Sequence, residues 1–166
     1  LQILCIEAPG GIGKTRLLQE VRTQYLSTQQ ARLKITNIID FDAYEFQIAE
    51  NVGRSIAQMI DEQVFTRYFR DLLDYHKMES AGVSSELLRN KLAENIQMFV
   101  ECFNAVSKTQ RIVLFYDTTD AFQETDFPEK FLYISNQLNN TLILIAGRNA
   151  SKIGRSLQSR FGQECV

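Results

Sequence analysis

The 166-residue sequence has no tryptophan, one histidine, two prolines and three cysteines, and the scarcity of cysteine and histidine narrows its chemistry. Cys5, Cys102 and Cys165 lie far apart and lack CxxC or Cys/His spacing, so neither a disulfide framework nor a zinc site is expected. They read as small reduced core residues, which suits a cytoplasmic setting. His76 has no Cys, Asp or second His at metal spacing and fits a surface or capping role. No apolar run approaches the roughly 20 residues of a membrane span, and no signal peptide with a charged front is present, so no membrane partner is expected. Neither sign of charge dominates, with 18 basic and 20 acidic side chains. Nucleic acid, which needs a concentrated basic and aromatic surface, is not an expected partner.

What remains is 45% hydrophobic and 23% charged, the profile of one soluble globular domain over residues 1–166. The chain opens at Leu1 without an initiator Met, on what reads as a central strand, so a fragment of a longer multidomain protein is expected.

Strand and helix patterns alternate. "LQILCI" reads as a buried parallel strand, and Lys14 to about Tyr25 places Leu17, Leu18, Val21 and Tyr25 at helical spacing. "ARLKITNIIDF" reads as a second strand ending near Asp40, followed by helix from about Phe46 to Met78 with a break near Asp61. Ser84 or Ser85 begins a long amphipathic helix through Leu88, Leu92, Asn95, Phe99, Cys102 and Val106. "RIVLFYD" is a third strand, a short helix capped by Thr125 or Asp126 follows, and "TLILIAGR" is a fourth strand before a basic tail from Ser151. Apolar strands separated by helices predict a parallel three-layer α/β/α sandwich.

The stretch "APGGIGKT", Ala8 to Thr15, fits [AG]xxxxGK[ST] between a strand and a helix, the context a phosphate-binding loop requires. Gly10, Gly11 and Gly13 let the backbone turn so that N–H groups meet phosphate oxygens at a helix N-terminus. Ala8, Pro9, Ile12 and Arg16 complete the expected nucleotide-contacting segment. Lys14 would reach the β- and γ-phosphates, and the Thr15 hydroxyl would bind Mg²⁺. A second acid for the metal belongs at the end of another buried strand, which is where Asp117 stands. Thr118 occupies the position where many P-loop ATPases carry a water-orienting glutamate, leaving Asp120 as the nearest replacement base. Arg148, at the end of the fourth strand, could bind a γ-phosphate.

These residues, "APGGIGKT" with "RLL", "IVLFYDTTD" and "LILIAGR", resemble the nucleotide-binding core of the STAND class of P-loop NTPases, which includes NB-ARC and NACHT signalling ATPases and is related to the ASCE and AAA+ ATPases. The resemblance covers about residues 2–16 and 112–149. It implies a P-loop sheet lacking its C-terminal strand and lid. It also implies a slow ATP/ADP-dependent switch with Mg²⁺, whose protein partners or self-association are encoded outside this segment. Two other functions use the same loop. A small-molecule phosphotransferase would draw its base from Asp40 or Asp42, and a non-hydrolysing nucleotide scaffold would follow from Thr118.

Overall fold

A computed structural model describes residues 1–27, 32–122 and 134–161. The expected short helix capped by Thr125 or Asp126 falls largely outside them, as does Cys165.

The chain is an α/β protein built on a four-stranded, all-parallel sheet. Strand β1 (Gln2–Glu7) leads through the glycine loop into helix α1 (Lys14–Ser27), then strand β2 (Leu33–Asp40). Helices α2 (Ala49–Asp61), α3 (Thr66–Ser80) and α4 (Ser85–Ser107) follow, then strands β3 (Arg111–Asp117) and β4 (Thr141–Gly147) and helix α5 (Ala150–Phe161). The strand order is β1-β4-β3-β2.

Period-two alternation on the strands divides the core into two faces. On β3, Ile112, Leu114 and Tyr116 face a cluster with α2 to α5, whereas Val113 and Phe115 face Leu18 of α1. On β4, Ile143 and Ile145 join the first cluster, and Leu144 and Ala146 the second. Strand β3 is buried at every position from Ile112 to Asp117, as its uninterrupted apolar run predicts. Each fully buried large side chain here, such as Phe115 or Phe103, contributes about 1.5–3 kcal/mol of transfer free energy. Layers of helix on both faces of the sheet follow from this alternation.

One local expectation differs from the structure, and two local features add detail that the sequence did not predict. Strand β1, expected to be central, is an edge strand whose sheet partner among the described residues is β4; Ile3 is buried but Leu4 is 38% exposed. Strand β2 shifts register between Ile35 and Ile38, so both side chains lie on the α1 face. Ser84 precedes α4, but its hydroxyl makes no capping hydrogen bond; its carbonyl accepts from the N–H of Leu88 at 3.1 Å. Among the described residues, no helix is long and apolar enough to cross a membrane.

Candidate phosphate-binding site

The strand order positions the site. Strand β4 lies between β1, which carries the glycine loop, and β3, which ends at Asp117, and the three strands run the same way. Their C-terminal ends therefore open onto one edge of the sheet, where ligands of open α/β folds sit. A cleft of ≈ 470 Å³ occupies that edge. Lys14, Thr15, Arg16, Asp117, Asp120 and Arg148 line it together with Gly10, Gly11 and Gly13. The other three residues of the expected segment are placed differently. Ala8 and Pro9 contribute main-chain carbonyls, and the Ile12 side chain is 64% exposed.

The loop has the backbone of an anion cradle. Gly11 and Gly13 have φ of 82° and 89°, a left-handed conformation that a side chain would strain. Among the described residues, the first main-chain N–H of α1 with an acceptor is that of Leu17, 2.9 Å from the Gly13 carbonyl oxygen. The N–H groups from Gly10 to Arg16 have no acceptor there, and a helix N-terminus adds partial positive charge. The Lys14 ammonium donates to the carbonyl oxygens of Ala8 at 2.7 Å and Pro9 at 2.8 Å. A cation is thereby folded over the loop that carries the free donors.

Asp117 ends β3 and is 2% exposed. Its Oδ1 accepts from the Thr118 N–H at 2.9 Å, while its buried Oδ2 has no hydrogen-bond partner among the described residues. Thr118 is held at φ 53°, uncommon for a β-branched residue and a small store of strain beside the cleft. An unpaired, buried carboxylate oxygen in the same cleft as Thr15 of the glycine loop fits Mg²⁺. That ion takes one or two protein ligands and completes its shell with phosphate oxygens and water. Thr15 and Asp117 are the residues that would hold it, and among the described residues no cluster of three or more His, Cys, Asp or Glu suited to a metal occurs.

Asp120 and Arg148 meet. The Arg148 main-chain N–H donates to Asp120 Oδ1 at 3.0 Å, and its Nε lies 3.6 Å from Oδ2. The approach of the two segments depends on Gly147, where a Cβ would collide with the Thr119 hydroxyl and stand 3.1 Å from the Thr119 nitrogen. Thr119 is buried, and its hydroxyl is positioned to donate to the carbonyl oxygen of Ala146 at 3.3 Å or to Oδ1 of Asn149 at 3.1 Å. This lock fixes the turn after β3 against the end of β4, and with it the aim of Asp120 and Arg148.

No family model, curated protein or solved structure matches this chain.

Asp40, Asp42, Glu7 and His76 lie outside the cleft. The N–H of Asp42 donates to Asp40 Oδ1 at 3.0 Å, a turn closing the end of β2, and neither side chain lines the cleft. Glu7 accepts from the Ser151 N–H at 2.7 Å at the start of α5, and this bond holds its carboxyl below the usual glutamate range. His76 lies 3.5 Å from carboxylate oxygens of both Glu50 and Glu79. Sequence reasoning passed over Gln19, which also lines the cleft. Its signal was spacing, since it stands four residues after Thr15 on the same face of α1.

Proposed function

We propose that this chain binds ATP or ADP with Mg²⁺ at the glycine loop and hydrolyses ATP slowly, as the nucleotide-responsive part of a larger regulatory protein. The observation that carries this reading is the meeting of loop, Asp117 and Arg148 in one cleft at the C-terminal edge of the sheet. The free N–H groups of the loop hold the phosphates, and Lys14 exchanges the Ala8 and Pro9 carbonyls for phosphate oxygens. Thr15 and Asp117 hold the metal, which when bound neutralises charge on the phosphate oxygens. Arg148, its side chain 67% exposed and anchored through Asp120, reaches the terminal phosphate. The resemblance to STAND-class NTPases supports the switch role, with protein partners or self-association supplied by other regions of the protein.

A second reading, a scaffold that binds nucleotide without hydrolysing it, is favoured by one observation. Asp120, the nearest candidate base, already accepts from Arg148 through Oδ1 and faces its guanidinium through Oδ2. A carboxylate with both oxygens turned to Arg148 is poorly placed to orient an attacking water. Single-turnover hydrolysis of radiolabelled Mg-ATP separates the two. The slow-switch reading expects phosphate release that falls at least about tenfold in Asp120→Asn. Release absent from the wild type, with nucleotide still bound, assigns the scaffold.

A further inference from the structure

A second cavity lies between the sheet and the helical layer, away from the phosphate cleft. Its volume is ≈ 230 Å³, and α2, α3, α4 and β3 wall it through apolar side chains including Ile56, Leu72, Phe99 and Tyr116. Close-packed interiors leave few voids larger than a water molecule, and apolar cavities of roughly 150 Å³ already take up benzene. This cavity has room for a small organic molecule.

One side chain sets its chemistry. Asn95 lines the cavity, is 2% exposed, and has neither Oδ1 nor Nδ2 paired among the described residues. A primary amide offers an acceptor and two donors, and leaving both ends unpaired amid apolar neighbours is costly. The position on α4 is otherwise a core position, one turn before Phe99 on the buried stripe. A leucine there would fill space and remove the penalty. The placement makes physical sense when the amide meets an occupant that pairs with it.

Charge narrows the occupant. Glu50 is the one charged side chain among the described lining residues, 24% exposed and 3.5 Å from His76 Nε2. An anionic ligand would face that carboxylate without a cation in the wall. A neutral amide or lactam edge instead presents an adjacent donor and acceptor that match Asn95. Access is through the side of the cavity where Ile48, 43% exposed, and the half-buried Leu92 and Ile96 stand.

We infer that this cavity is a binding site for a small neutral amphipathic molecule. Its aromatic or alicyclic body packs against Ile56, Leu72 and Phe99, and its carboxamide or lactam edge pairs with Asn95. The site is independent of the nucleotide reading.

Two probes test it: naphthalene-2-carboxamide, and 2-ethylnaphthalene, which has a similar body without the amide. Each is titrated into the intact protein and followed by methyl NMR of Ile56, Leu72 and Leu92. The carboxamide should shift these signals saturably and bind at least about tenfold more tightly than the hydrocarbon. Asn95→Leu should erase that preference, bringing the two affinities within about twofold. Absence of saturable shifts, equal affinities in the wild type, or an unchanged preference in a folded Asn95→Leu each overturns the inference. Should Asn95→Leu not fold, the comparison of the two probes on the wild type decides.

Discussion

The guanidinium of Arg148 lies against the glycine loop at Gly10: a Cβ on Gly10 would stand 2.8 Å from Nη2 of Arg148. The residue that follows β4 thus touches the segment that follows β1, a consequence of the two strands pairing from Gln2↔Leu142 to Glu7↔Gly147. The contact bridges the basic and the loop-borne halves of the cleft. Its partner on the other side is Asp120, so Arg148 is held between a carboxylate and a loop.

Gly10→Ala and Gly147→Ala should therefore differ in how much stability they cost. At Gly10 the new methyl meets the end of a flexible, exposed side chain, which can move, so urea unfolding should show a loss under about 1 kcal/mol. At Gly147 it meets the buried Thr119 hydroxyl and the Thr119 main chain, which are locked by Ala146 and Asn149, and the loss should be about 2 kcal/mol or more. Equal losses in the two variants would contradict the packing of Arg148 and Thr119.

Asp117→Asn should separate stability from metal use. The amide can still accept from the Thr118 N–H, while the buried oxygen without a partner no longer belongs to a carboxylate. Urea unfolding at neutral pH should find the variant as stable as the wild type, or more stable by up to about 1 kcal/mol. On the proposed reading, affinity for ATP measured with and without Mg²⁺ should depend on the ion in the wild type and not in the variant. A loss of stability beyond about 2 kcal/mol would mark Asp117 as a structural carboxylate instead.

Glu7 gives a pH dependence of known sign. Its carboxyl is held below the ordinary value chiefly by the main-chain N–H of Ser151, so its contribution to folding is present above the unfolded glutamate pKa of about 4.3. That contribution is lost as pH falls through the lowered folded value. The Ser151 amide proton shift, followed by NMR, should titrate with an apparent pKa below about 4.3, and Glu7→Gln should abolish the step. A midpoint at or above the ordinary value would contradict the bond.

Much of this architecture is legible in the residues, because buried parallel strands and a glycine loop leave local signals. The apolar run of β3 announces its burial, and the helical spacing after Lys14 announces α1. Lateral order leaves no such trace: β1 reads as apolar whether it is central or at an edge, and only pairing with β4 decides. Asp117 and Arg148 could be found because strand ends are readable. The Asp120 to Arg148 contact spans 28 residues and the Glu7 to Ser151 bond spans 144, distances over which no local period acts. Asn95 reads as one polar break in an amphipathic stripe; its unpaired state depends on what three other elements leave open around it.

Every role proposed for Lys14, Asp117 and Arg148 depends on nucleotide binding at the loop. Isothermal titration of Mg-ATP and Mg-ADP into the wild type and Lys14→Ala tests it directly. Lys14 is partly exposed and bonded only to loop carbonyls among the described residues, so the variant should fold normally, which thermal unfolding can verify. Both nucleotides should bind the wild type saturably and the variant at least about 100-fold more weakly. Identical heats from the two proteins, or no binding by either, would contradict binding at the loop.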